Sequence, residues 1–208
     1  MTALADRLVV TPLLDDDQVG PASIDVRLGT EFIVFRRTRG GVIDPLQDGE
    51  SSMQLPTHER IDCPLGQSIL LHHHQFVLAS TLEYIRLPAD LGAYLTGRTS
   101  WARLGLVVGT SMLLQPGFTG CVTIELVNEG ATPLALHPGM RIAQLSVHRM
   151  AGATDRLHRS RYVGATGPEV SKLYRDRFDY DHVSATQDHL ERRLLAGAPD
   201  HGQPLESG

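Results

Sequence analysis

The segment GRTSWARLGL, Gly97 to Leu106, sets two guanidinium groups, Arg98 and Arg103, around the hydroxyls of Thr99 and Ser100. Arginine offers phosphate oxygens a planar fork of donors, hydroxyls add short hydrogen bonds, and a turn can aim backbone N–H groups at the same anion. That combination suits a di- or triphosphate. The competing reading is a surface one, in which two arginines five residues apart lie along a helix face or pair with carboxylates. Downstream, LLQPGFTGCVTIELVNEG leads through a Pro-Gly turn and Phe118 into a strand that carries one carboxylate, Glu125, among apolar neighbours. An acid at such a position is costly unless it is paired or put to use, which makes Glu125 a candidate general base. The alternation of Val122, Ile124 and Leu126 with Thr123, Glu125 and Val127 puts Glu125 on the face opposite three aliphatics. If that face is solvent, Glu125 is an ordinary exposed acid.

The elements that must position these groups are short strands. A chain of 208 residues, 41% hydrophobic and 21% charged, has material for one core and a tail. Aromatic content is only 5%, against 20 Gly and 12 Pro, which favours turn-rich aliphatic strands over a helical bundle. IDVRLGTEFIVF, residues 24 to 35, alternates and then becomes mostly apolar, as a strand pair or a bent long strand would. From Gln67 the runs SILLHHHQFVLAS, EYIRLP, GAYLTG, LGLVVGTSMLLQ, CVTIELVNEG, PLALHPG and RIAQLSVHRM follow one another, punctuated by Gly and Pro. This pattern predicts an all-β sandwich or barrel over roughly residues 20 to 150. A short helix is expected near Ala3 to Leu8, a long surface loop from Gly40 to Pro64, and another short helix around Val170 to Arg177. Residues 1–150 form the expected β domain; residues 151–208, basic and aromatic without a long apolar run, form either a lid over an anion or a solvated tail, frayed at its end.

Composition excludes several functions. A formal net charge of -5 offers nothing to draw in a nucleic-acid backbone, so a small anionic ligand is expected. Cys63 and Cys121 are the only cysteines, which supports neither a disulfide framework nor a cysteine-based zinc site and suits a reducing cytoplasm. No leader pattern and no apolar run of bilayer length is present, so no membrane partner is expected. The run His72 to His74 has the wrong spacing for three ligands on one strand face and reads as a surface or inter-subunit feature.

In this order, PASIDVRLG, LPADLGAYLTGRTSWARLGL, QPGFTGCVTIELVNEG and PLALHPGMRIAQL resemble the dCTP deaminase branch of the deoxyuridine triphosphatase-like proteins, from about Pro21 to Val147. The resemblance implies a distorted β-barrel or jelly-roll subunit in a homotrimer with active sites between subunits, binding a nucleoside triphosphate with magnesium carried on the phosphates. It implies that Glu125 is the general acid/base, that Thr99 and Arg103 position water and base, and that Arg98 and Ser100 hold phosphate. Thr99 stands where the family usually has serine. In that chemistry hydroxide adds to C4 of cytosine and ammonia leaves, with no metal activating the water, unlike the zinc deaminases; this chain has no H-x-E followed by P-C-x-x-C. Phe118 matches an aromatic beside the sugar, Gln144 a glutamine near the phosphates, and Tyr162 and Lys172 a tyrosine and lysine of the lid.

Three departures qualify the match. Gln115 stands where the family shows an acid that meets the sugar 3′-hydroxyl, or activates water in triphosphatases; a glutamine hydrogen-bonds but is no base. The hairpin LVVGTSMLLQ is one residue short of the family pattern, and LYRDRFDY replaces a glutamine-glycine signature after Lys172. The expected activity is therefore metal-independent deamination of a cytosine nucleotide, dCTP to dUTP first, with CTP or a non-catalytic nucleotide-binding homologue as alternatives.

Overall fold

The longest strand bends. The computed structural model describes residues 8–36, 58–109, 112–151 and 161–173. In it β2 (Ile24–Phe35) runs unbroken. Its first residues pair antiparallel with β11 (Arg141–Arg149), and the remainder pairs with β5 (Phe76–Arg86) and β3 (His58–Asp62). The register against β5 shifts between Leu28 and Phe32. Gly29 sits within that shift, where a Cβ would come within 2.9 Å of the Ser80 hydroxyl and 3.0 Å of the Ser80 carbonyl. The absent side chain lets the two backbones approach as the strand passes from one partner to the next. Of the two readings of residues 24 to 35, the bent strand is the one found.

Around β2 stand β1 (Val9–Thr11), β6 (Leu91–Gly97), β7 (Leu106–Val108), β8 (Met112–Leu114) and β9 (Thr119–Asn128). The nine-stranded sheet has the order β7-β9-β5-β2-β11-β6-β8, with β1 added on β5 and β3 on β2; β4 (Ile69–Leu71) and β10 (Leu134–Leu136) form a separate pair. The strands at the two ends of that order, β7 and β8, are successive in sequence, as in a sheet curled towards a barrel. Its concave side holds a core of aliphatic side chains, among them Val26, Leu28, Phe32, Ile85, Leu95, Ile124, Leu126 and Leu145. Burial of this kind contributes about 25 cal/mol per Å² of apolar surface. The all-β expectation holds. Besides a 3-10 turn at Asp16–Gln18, the described residues form one α-helix, α1 (Thr99–Ala102). Among the described residues no helix is long and apolar enough to cross a membrane.

Several expected boundaries move. The far end of the predicted loop, His58–Asp62, is strand β3, whose side chains are mostly exposed; with Ile61 its only apolar residue, hydrophobic alternation could not reveal a strand held by backbone pairing to β2. The run SILLHHHQFVLAS is broken at the histidines, because His74 takes a left-handed φ of 56° between β4 and β5. His72, His73 and His74 are exposed, with His73 Nδ1 2.9 Å from the Gly130 carbonyl and His74 Nδ1 3.1 Å from Glu129. EYIRLP is no separate strand but the end of β5. The helix expected from Ala3 lies, except for Leu8, outside the described residues, as does the second helix beyond Leu173; Val170 to Lys172 are not helical.

Candidate functional site

Strand β9 carries the acid, and its alternation is realised in space. Val122, Ile124 and Leu126 are buried in the core, while Thr123, Glu125 and Val127 are half-buried on the other face. That face is neither core nor open solvent. It forms one wall of a cavity of about 830 Å³ whose lining includes Leu78, Gln115, Phe118, Thr123, Glu125 and Tyr162. Among the described residues the Glu125 carboxylate has no hydrogen-bond or ion-pair partner. Leu78 lies level with it on β5. On the other side Gly109 donates its N–H to the Glu125 carbonyl at 2.7 Å, and a Cβ on Gly109 would fall 2.1 Å from Glu125 Oε2. The carboxylate therefore lies over a glycine, and a larger residue at 109 would displace it. Phe118, 9% exposed, packs in the core cluster and also lines the cavity. Gln115 is exposed at the cavity's edge.

The segment 161–173 packs along β9. Gly164 N–H donates to the Thr119 carbonyl and Cys121 N–H to the Ala165 carbonyl, both at 2.7 Å, and Glu169 N–H donates to Thr123 Oγ1 at 3.1 Å. These bonds carry Tyr162, Glu169, Val170 and Ser171 to the cavity. Lys172 closes on the segment itself. Its N–H donates to the Tyr162 hydroxyl, its ammonium lies 5.0 Å from the Tyr162 ring centroid and donates to the Arg161 carbonyl, and it pairs with Glu169. Burial, with the charges of Glu83 and Glu31, pushes the Cys121 thiol above its usual range. Cys63 and Cys121 are free and buried.

Arg98 and Ser100 line a second space, a groove of about 410 Å³ with Trp101, Leu104, Met140 and Arg141. The Trp101 indole N–H donates to the Arg141 carbonyl at 2.9 Å and so fastens α1 to β11. Thr99 and Arg103 are exposed and line neither space; Arg103 N–H donates to the Thr99 carbonyl at 3.1 Å. Gln144, half-buried on β11, donates to Asp25 Oδ1 at 3.0 Å. Asp25 Oδ2 also accepts from Arg141 Nη1 at 3.3 Å and lies 3.8 Å from Arg98 Nη2. One carboxylate thus orders two of the predicted phosphate ligands, Arg98 and Gln144, together with Arg141.

Behind the groove a chain of charges runs into the core. Arg141 Nη2 and Arg27 Nη2 each donate to Asp15 at 2.6 Å. Arg27 also donates through its N–H to Glu83 Oε2 at 2.7 Å, and Glu83 accepts from Gln18 Nε2 at 2.8 Å. Desolvation raises the Glu83 carboxyl above its ordinary value, against the hydrogen bonds from Arg27 and Gln18. For Asp15 desolvation acts upward too, but the hydrogen bond and charge of Arg141, with the charge of Arg27, override it and hold the carboxyl below its ordinary value. Arg141 is raised in turn by Asp15. Sequence reasoning singled out none of Asp15, Asp25, Arg27, Glu83 and Arg141. The available signal was charge inside apolar strands, as in SIDVRL and MRIAQL. Among the described residues no group of three or more His, Cys, Asp or Glu is placed to hold a metal ion.

Fold and site together define a curled β-sheet protein with an acid-bearing cavity on one strand and an arginine groove beside another. Residues 1–150 match the sequence model of a family described as dCTP deaminase-like, and the chain belongs to that family. A dCTP deaminase of Haloarcula marismortui is 42% identical over 176 residues, 82% of this chain and 89% of that protein. A dUMP-forming dCTP deaminase of Methanobrevibacter smithii is 36% identical over 181 residues, 84% of this chain and 90% of that protein. The crystal structure of a 2′-deoxycytidine 5′-triphosphate deaminase from Agrobacterium tumefaciens is similar with a TM-score of 0.52 and 24% identity, covering 71% of this chain. The matched part is 44% of that longer chain, and the likeness speaks to the fold alone.

Proposed function

We propose that the protein deaminates dCTP, converting dCTP and water to dUTP and ammonia. The observation that carries this reading is the carboxylate of Glu125, unpartnered among the described residues, in a cavity otherwise walled largely by apolar side chains. Glu125 takes a proton from water, the hydroxide adds to C4 of cytosine, and the carboxylate passes protons to N3 and the departing amine. Thr99 and Arg103 position water and base, Arg98, Ser100 and Gln144 hold phosphate, and Gln115 and Phe118 meet the sugar. Tyr162 and Lys172 belong to a lid formed by the segment after residue 150, for which Lys172 must leave Glu169.

Cavity and groove have no lining residue in common. That separation supports a site completed between copies of the chain, in a homotrimer, with Thr99 and Arg103 of one copy facing Glu125 of another. The apolar side chains exposed on the end strands, Val107 on β7 and Leu113 on β8, together with Tyr94 on the neighbouring β6, support such an assembly. Magnesium fits as an ion carried by the triphosphate, where it neutralises phosphate charge: the groove offers guanidinium and hydroxyl donors, and Asp25 is already shared among three side chains. The two buried free thiols suit the cytoplasm.

Some relatives are named as dUMP-forming and others are not. Gln115 supports dUTP as the product, since a glutamine supplies no base for a second hydrolysis. The same residue favours CTP as the second substrate to test. Purified protein with magnesium is given dCTP, CTP, dCMP and dUTP in parallel, and ammonia and nucleotide products are measured. Conversion of dCTP to dUTP is expected. Release of pyrophosphate from dUTP would overturn the product assignment, and nucleotide binding without ammonia would make the protein a regulator.

A further inference from the structure

The groove contains an arginine beyond those matched to the family pattern, and its setting differs from that of its neighbours. Two guanidinium groups share Asp15. Arg27, with 7% of its side chain exposed, is enclosed between Asp15 and the fully buried Glu83. Arg141, with 27% exposed, lines the groove next to Arg98 and Ser100. The first has the surroundings of a structural ion pair; the second is held at one end and open at the other.

We propose that Arg141 is a second phosphate-binding arginine of the groove, set beside Arg98 and fixed in orientation by Asp15 and Asp25. The inference rests on reading the groove as the phosphate half of the site. A guanidinium has five N–H donors in a rigid fork. Arg141 gives Nη2 to Asp15 at 2.6 Å and Nη1 to Asp25 at 3.3 Å and to the Asp17 carbonyl at 3.5 Å, which leaves donors for an anion. Its backbone is fastened from the other side by the Trp101 indole at 2.9 Å. A side chain immobilised in advance gives up less rotamer freedom when the phosphate arrives. Arg98 and Arg141 also share the Asp25 carboxylate, so the two forks are set in fixed relation to one another. With carboxylates balancing their charge from behind, the arginines recognise phosphate by directed hydrogen bonds more than by net charge. Lysine, a point charge without the fork, is a poor replacement.

The test uses the full chain and the variants Arg141→Gln and Arg141→Lys, with KM and kcat for dCTP, the inhibition constant of deoxycytidine, and thermal melting. Both variants are expected to raise KM for dCTP about tenfold to a hundredfold, the range for a lost hydrogen bond to a charged group. kcat should change by less than about threefold, and inhibition by deoxycytidine, which has no phosphate, should stay as in the parent. An unchanged KM, full rescue by lysine, or equal losses for dCTP and deoxycytidine would each overturn the assignment. Should the glutamine variant fail to fold, the lysine variant decides alone. A parent protein that binds no nucleotide brings down the functional reading and this one together, whereas parent activity with unaffected variants brings down only Arg141.

Discussion

The cavity on β9 and the groove beside α1 are built from opposite materials. In the cavity the carboxylate of Glu125 stands without a partner among the described residues, level with Leu78 and over the bare backbone of Gly109. In the groove Arg98 and Arg141 both meet a carboxylate, and those carboxylates are held by further side chains back to Glu83. A group that exchanges protons must be able to change its charge, and a strong ion pair would hinder that. A group that grips phosphate keeps its charge and gains from being held still. The contrast fits the proposed reading, in which chemistry belongs to the first region and binding to the second.

The largest expected effect separates the two directly. Glu125→Gln should lower turnover about a hundredfold to ten-thousandfold, the usual range for a lost general base, with dCTP affinity kept within about tenfold. Single-turnover ammonia release and equilibrium binding measure it, and surviving turnover would end the assignment of chemistry to the cavity. Next is the anchor of the groove. Glu83→Ala leaves Arg27 buried with part of its ion pairing lost and should cost about 3 to 5 kcal/mol in urea unfolding; a loss under about 1 kcal/mol would mean that the charge chain is not cooperative. Gly109→Ala tests the setting of the Glu125 carboxylate. By pushing the Glu125 carboxylate aside it should lower kcat about tenfold to a hundredfold, while melting temperature and KM move little.

The smallest effect is on pH. Glu83 has its folded pKa above the ordinary 4.5, so its contribution to stability is full below 4.5 and is lost as pH rises through the folded value. Asp15 has its folded pKa below the ordinary 3.8, so its contribution is present above 3.8 and is lost as pH falls through the folded value. Melting curves should show Glu83→Gln removing a decline above pH 4.5 and Asp15→Asn removing one below pH 3.8. The same pH slope in both variants would contradict the opposite shifts.

Much of this was legible in one dimension. The aliphatic alternation of β9 located Glu125 on its face, and Gly and Pro spacing marked most strands. β3 escaped notice because HERID has no apolar period and is held by backbone pairing to β2. Thr99, Ser100 and the arginines around them were visible as a cluster, yet only Arg98 and Ser100 line the groove.

What the sequence determined by itself is local: which segments extend, which face of each carries aliphatics, and that one acid interrupts an apolar strand. Such properties depend on residues a few positions apart. Tertiary structure alone decided that the face of Glu125 opens on a cavity instead of water, and that Asp25 serves residues 116 and 119 positions away, Arg141 and Gln144. The physical reason is that the environment of a charge is set by whatever the fold packs against it, and strand pairing of β2 with β11 brings those partners from the far end of the domain.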